Sequence, residues 1–520
     1  MLKYIFFFTS IFLSASVSAQ TYFNHRFEYG QPGWWDGASN IFQLPDGYIL
    51  SGLYQYYCPL CLGFYKIDFQ GNKIFSKTYC DSTIEYQLGN SGSIIRFSSD
   101  SILAVGSSRT PSQPDPHDQA VLYFLNNDFD TLSTKKLGEK TEPFDTGYYF
   151  NQLKLDPLKY IIITGSQSPY TGKVKILLMK IDNNGNQIWM KLFSSGQFLE
   201  GYSVICTNDG GYAIGGYAYD VPIPPDYSGD PILVKTDSAG NQQWMLNLGG
   251  PLQDQKAMIC NSMDGNIIVG TSYCDSMPGG SPSASGNAYR RINIIKVDNS
   301  GNILWNKKYG SSEMFNELMN IRETGDGGLI ACGYTTRLFP TTYDYAGWML
   351  KTDSEGDSVW YRQYVICGGE TSWNWLSDVI QTDDKGFIAG GIVYVHLPDT
   401  GSHDGWVLKV DSLGCENPSY CWVGMQPETE MPGTQAVKIF PNPADKLATI
   451  SLINDSHELP VKIRLFDMFG REVKTIEDTQ GHNDFQLDVI QIPEGLYMVL
   501  VESQHRVFGR TKLMVRKKPL

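Results

Sequence analysis

The chain has 520 residues, rich in Gly (52) and Tyr (31), and only 18% of its side chains are charged. Its formal net charge of −14 argues against a nucleic-acid partner, because phosphate binding needs a basic surface. Length and composition suit one large domain of short strands joined by tight turns, followed by one small domain.

The N-terminus predicts a secretory signal over residues 1–19. Lys3 supplies the positive end, and the apolar run 4–13 is too short to span a bilayer. Val17-Ser18-Ala19 offers a small-residue cleavage site. No later stretch is long and apolar enough for a transmembrane span, so none is expected after signal removal.

Two phrases then alternate, with a period of about 57 residues. One is an Asp-Gly turn followed by β-branched and aromatic residues, as at Asp46, Asp209, Asp264, Asp326 and Asp384, with worn copies at Asp100 and Leu158. Asp-Gly between hydrophobic runs is a hairpin signal. The other is Asp-x-x-Gly-Asn leading to Trp, at Asp182, Asp237, Asp298 and Asp353, with Phe75 replacing Trp after Asp68 and a weak copy near Asn127. Each unit therefore reads as four strands. The second and third strands each occur seven times, and no fourth strand follows Asp411. Residues 24–30 (NHRFEYG) align with 305–310 (WNKKYG) and would supply it. The prediction is an all-β chain whose residues 20–414 form a seven-bladed β-propeller closed by an N-terminal strand, which removes exposed edges.

The Asp and Asn side chains of the turns are expected to cap their own backbone. Asp182 begins a pattern that lacks the Gly and Glu of a calcium loop, since Gln187 and Phe193 stand there, so no metal is expected. Trp189, Trp244, Trp305 and Trp360 are expected between blades. Ten cysteines in an exported chain point to disulfides. Cys415 and Cys421 look like a local pair, Cys58 and Cys61 suggest a bridge involving Cys80, and Cys206 and Cys260 stand on equivalent strands of adjacent repeats. The repeats resemble those of bacterial β-propellers in secreted surface proteins. They are distantly similar to quinone-cofactor dehydrogenase propellers, but no cofactor site is visible and no cofactor is expected.

No nucleophile elbow, zinc helix, phosphate loop or dinucleotide fingerprint occurs, and no catalytic residue is identified. His396 and His403 read as solvated loop histidines. Trp34 and Trp35 precede the first blade and Trp373 and Trp375 the seventh. Closure would gather these four on one face, beside long loops at 110–119, 219–230, 273–290, 336–346 and 394–404. Exposed aromatics suit glycan or protein binding. The expected function is a non-catalytic binding or adhesion platform. The alternative is an extracellular hydrolase or lyase using loop-face carboxylates, whose spacing a sequence does not give.

Residues 415–436 have the Pro, Glu and Thr character of a linker. Seven short alternating runs then fill 437–520 and predict a small Ig-like β-sandwich. Its phrases IFPNPA (439–444), LFDMFGREV (465–473), IPEGLYMV (492–499) and TKLMVRK (511–517) resemble, in order and position, the type A C-terminal sorting domain of the type IX secretion system of Bacteroidota. On that resemblance Pro441, Asn442, Pro443, Gly470, Gly495, Tyr497 and Lys512 belong to the sorting signal. The partners it implies are the type IX translocon and a surface sortase that removes the domain. The cargo is then secreted or attached to the outer-membrane surface. Lys512, Arg516, Lys517 and Lys518 form a basic end suited to an acidic receptor.

Overall fold

The computed structural model describes residues 21–29, 35–55, 60–109, 119–137, 147–169, 172–220, 229–276, 288–312, 314–336, 345–366, 372–396, 400–416, 437–452, 461–466, 472–480, 482–502 and 507–517. They form strands and turns, with no helix among them. The chain divides into two compact units, Met1–Glu416 and Asn417–Leu520.

In the first unit, consecutive strands pair antiparallel in short groups. Trp35–Leu44, Gly47–Gln55, Cys61–Ile67 and Lys73–Tyr79 make the first. Four-stranded runs follow within residues 147–193, 198–247, 258–309 and 316–364. The second group departs from the pattern, because its first strand is broken. Glu85–Leu88 and Ile94–Arg96 both pair with Ser101–Arg109, separated by residues 89–93. The last group holds Trp373–Gln381, Phe387–His396 and Thr400–Val410, and its outer strand is Phe23–Phe27 from the other end of the chain. Phe23 lies opposite Lys409 and Phe27 opposite Gly405.

Apolar side chains join each group to the next. Leu62 and Phe64 of the first group pack with Ile102 and Val121 of the second, and the same holds from group to group down the chain. The final cluster puts Ile388 and Val407 of the last group with Phe27, Ile41 and Leu50, so the order of packing closes on the first group.

The repeated phrases explain this regularity. In the Asp-x-x-Gly-Asn turn, Asp182 Oδ1 accepts the N–H groups of Asn184 (2.9 Å) and Asn186 (2.7 Å), and its Oδ2 accepts the Asn186 amide. Asp237, Asp298 and Asp68 repeat the arrangement. The glycine of each turn has a second duty. Gly356 adopts φ +81°, and a Cβ there would stand 2.8 Å from the ring of Trp305 in the preceding group. Gly240, Gly301 and Gly414 receive Trp189, Trp244 and Trp360 in the same way, and Phe23 covers Gly71. Trp and Gly therefore recur together because each Trp lies over the next group's turn.

One recurrent residue was not singled out in the sequence. In five groups a lysine two positions before such an Asp reaches back to the Asp-Gly turn of its own group: Lys66 to Asp46, Lys235 to Asp209, Lys296 to Asp264, Lys351 to Asp326 and Lys409 to Asp384; in the third group Lys180 reaches Asp156 in the same way. Lys235 and Lys409 are fully buried. Such pairs fix the turn more than they add stability, since desolvation offsets the attraction.

Cys61 and Cys80 form a disulfide. Cys415 is half of another whose other half lies outside the described residues, as does Cys58. Cys206 and Cys260 do not pair; both are free thiols. The expected loop at 394–404 is shorter than its sequence suggests, because pairing continues through Tyr394 and His403 to His396 and Thr400. His403 is accordingly a strand residue, its ring 4.3 Å from that of Tyr394, and not a solvated loop histidine.

The second unit has two antiparallel sheets. Val437–Phe440, Leu447–Leu452 and Asp484–Asp488 form one; Glu472–Asp478, Val461–Phe466, Gly495–Glu502 and Val507–Val515 form the other. Ile450, Phe485, Ile463, Val499 and Leu513 meet in one core between them.

Candidate functional site

The first strand of each group is its innermost. It starts at the end of the groups where the second and third strands connect and finishes at the Asp-Gly turns. At the starting end lies an aromatic cluster. Trp373 and Trp375 stack with ring centroids 5.4 Å apart and planes 5° from parallel. Trp375 also stacks on Tyr334 at 4.9 Å, Tyr345 meets both indoles edge-on, and Tyr394 lies 5.1 Å from Trp373. Both tryptophans are partly exposed. Single parallel bridges pair Tyr345 with Trp373 and Trp35 with His403, so the backbone of Trp35 arrives beside this cluster. The side chain of Trp35, and all of Trp34, lie outside the described residues.

The two carboxylates beside the paired backbone of Trp35 and His403, Asp36 and Asp404, are both buried. Asp404 is bound to Arg26 at 2.6 Å. Asp36 is fully buried. Burial, then the charge of Glu28, push its carboxyl up from 3.8 to about 7, with a backbone bond at Tyr29 opposing and Asp404 adding a little. Between those two values the folded chain holds a proton that the unfolded chain has released. Stability therefore falls as pH rises through that window, by roughly 4 kcal/mol in all at about 1.4 kcal/mol per pKa unit. Asp36→Asn is expected to raise the melting temperature by several degrees at pH 8 and by much less at pH 4.5. Parallel melting curves of the two chains from pH 4 to 9 check this, and equal slopes would refute it.

Midway along the innermost strands, the register slips by one residue at equivalent places: Ala38/Asn40, Phe150/Gln152, Gly201/Ser203, Leu318/Asn320 and Leu376/Asp378. Bulges re-aim side chains, and the polar residue after each one bonds to a neighbouring group. Asn40 accepts from Ser93 N (3.0 Å), Gln152 from Val204 N (2.7 Å), Ser203 from Ile259 N (2.9 Å) and Asp378 from Ile41 N (3.0 Å). Residues 89–93, which break the second group's first strand, cross the centre. Asn90 donates to Asn151 at 3.0 Å, and Ser91 Oγ accepts from Asn320 of the sixth group at 2.6 Å.

Beyond the bulges, toward the Asp-Gly turns, are two cavities of about 230 and 330 Å³ that share Lys154 and Arg322. Arg322 pairs with Asp378 at 2.9 Å. Lys154 has no hydrogen-bond or ion-pair partner among the described residues; burial and then the charge of Arg322 pull its amine down to about 8. Cys206 and Cys260 also line the larger cavity, and burial pushes their thiols up to about 11 and about 12. The sequence reading missed this centre. Its one signal was a polar residue where an inward apolar one would continue the alternation.

In the second unit the phrases of the sorting signal come together. Asn442 Oδ1 accepts from Met514 N at 2.8 Å, and Ala444 and Val515 pair in parallel. Pro441 and Pro443 both follow cis peptide bonds. Tyr497 is buried and donates to Pro493 O at 2.9 Å, and Gly495 opens its strand. Gly470, Lys518 and the side chain of Lys512 lie outside the described residues. Lys517 is not free for a receptor: its ammonium donates to the Val489, Ile490 and Asp445 carbonyls at 2.6, 3.0 and 3.2 Å.

Residues 438–516 match the family described as the secretion system C-terminal sorting domain. A stretch of 160 residues is 24% identical to the regulatory protein FlaEY of Caulobacter vibrioides; it covers 28% of this chain and 17% of that protein. Solved structures similar to the chain include a protein of unknown function from Dyadobacter fermentans (TM-score 0.40, 10% identity, 64% of this chain and 96% of that one). Others are the polysaccharide lyase Uly1 (0.42, 7%, 77% and 94%) and a family 32 glycoside hydrolase from Bifidobacterium adolescentis (0.32, 10%, 75% and 79%). Likenesses at this level bear on neither the number of groups nor an activity. The sorting domain does bear on destination: it marks a chain secreted by the type IX system to the cell surface or the extracellular space.

Proposed function

We propose that residues 20–414 form a seven-bladed β-propeller, closed by Phe23–Phe27 as the outer strand of the seventh blade, and that its loop face is a non-catalytic binding surface for glycan or protein. The consecutive antiparallel groups and the apolar clusters that return to the first group support the closed ring. In this reading residues 1–19 are a signal peptide and 415–436 a linker. Residues 437–520 are an Ig-like sandwich that the type IX translocon engages and a surface sortase removes.

The observation that carries the binding role is the parallel stack of Trp373 on Trp375, flanked by Tyr334, Tyr345 and Tyr394. Partly exposed, pre-ordered aromatic rings offer large contact area at little entropic cost. The chain from residue 20 is to be probed on glycan and protein arrays beside Trp373→Ala. The expected result is at least a tenfold loss of binding by a variant that still melts cooperatively. No ligand for the unaltered chain, or equal binding by both, would overturn the assignment.

A further inference from the structure

We infer that the centre of the ring, at the end opposite the aromatic cluster, is a binding site for a small anionic molecule bearing a carboxylate or a phosphate. Lys154 and Arg322 stand on the innermost strands of the third and sixth blades, and both line both central cavities. Arg96 lines the smaller one. The carboxylates that line these cavities are Asp378 and Glu323. Asp378 is already engaged by Arg322, by Asn320 and by the N–H groups of Ile41 and Val379. Glu323 accepts from Met263 N. The lining therefore keeps positive charge inside a chain whose formal net charge is −14, and the Lys154 ammonium is its unengaged member.

An ammonium in a recess without a counter-ion is costly to desolvate, and an anion supplied from solution relieves that cost. Arg322 presents its remaining donors beside Lys154, which favours a planar carboxylate or a phosphate over a halide. Asn261 adds an amide group at the wall of the larger cavity for a hydroxyl of the same molecule. Residues 89–93 lie between this end and the loop face, so the site is separate from the one proposed there.

The test is isothermal titration calorimetry of the chain from residue 20 with glucuronate, inorganic phosphate and, as a neutral control, glucose. Binding of glucuronate or of phosphate, weakened at least tenfold in Lys154→Met and retained in Lys154→Arg, is the expected result; which of the two anions binds separates a sugar acid from a phosphate ligand. Trp373→Ala should bind the anion as the unaltered chain does, which keeps this result distinct from failure of the loop-face site. Absence of anion binding, equal binding of glucose, or binding unchanged in Lys154→Met would overturn the proposal. Circular dichroism of both lysine variants confirms that each is folded.

Discussion

Asp378→Ala is expected to destabilise the first unit by about 3–5 kcal/mol, the range for removing one partner of a buried ion pair. The Asp378 side chain is 1% exposed and pairs with Arg322 at 2.9 Å. It also accepts the Ile41 N–H of the first group at 3.0 Å and its neighbour's N–H, Val379, at 2.8 Å. The substitution leaves a guanidinium and an inter-group N–H unsatisfied in one place. Asp378→Asn keeps an acceptor oxygen and should lose less. Arg322→Met combined with Asp378→Ala should cost less than the sum of the two, because no orphaned charge remains. Chemical denaturation followed by tryptophan fluorescence measures all four chains. A midpoint change for Asp378→Ala worth less than about 1 kcal/mol would mean that water replaces the lost contacts and that this network does not hold the groups together.

The second large effect concerns the strand Phe23–Phe27. A chain starting at residue 31 should self-associate more than one starting at residue 20, because Thr400–Val410 would then present an unpaired edge. It also uncovers an apolar groove. The Phe27 ring stacks on Tyr65 at 4.4 Å and occupies the space over Gly405, Tyr29 covers Gly63, and Trp406 Nε1 donates to Asn24 at 2.7 Å. Phe27→Ala alone should cost about 3–5 kcal/mol, as buried Phe→Ala changes do. Size-exclusion chromatography reads the truncated chain, and a peptide of residues 21–30 added in trans should restore part of the monomer. A truncated chain that elutes as a monomer with an unchanged melting temperature would refute closure by this strand.

The parts of the fold legible in the sequence were those written in turn chemistry. Asp-Gly and Asp-x-x-Gly-Asn fix local backbone, so their spacing gave the strands and the surplus N-terminal one without reference to distant contacts. The strands of the second unit are legible instead in their alternating apolar runs, and the phrases there prove to be neighbours, as with Asn442 and Met514. The centre was not legible. A bulge adds one residue and flips the alternation after it, so the polar Asn40, Gln152 and Asp378, each two residues after a buried apolar one, break the pattern without saying which group they reach. Residues 89–93 gave no sign of crossing the centre. One worn repeat carried a message that only packing reveals. Where Phe75 replaces the Trp, the glycine position of the next turn holds Phe129 at φ 63°, fully buried, 6.2 Å from Phe75 and stacked on Phe64 at 4.6 Å. A smaller ring on one side and a larger residue on the other fill the same space. Of the aromatic cluster, the sequence singles out Trp373 and Trp375 but not Tyr334, Tyr345 and Tyr394, which come from three further strands.

The bond from Trp406 to Asn24 spans 382 residues of chain, and that separation sets an order of events. Ribosome and export channel deliver the closing strand first and its partner last. Bringing such distant ends together costs about 5 kcal/mol of loop-closure entropy before any contact repays it. Contacts of this range slow folding, so closure is the late step and the groups in between assemble first. Until then Phe23 and Phe27 are an exposed apolar strand with no sheet to join. An interrupted chain is therefore left with two open edges and is the form of this protein most prone to stick to another copy.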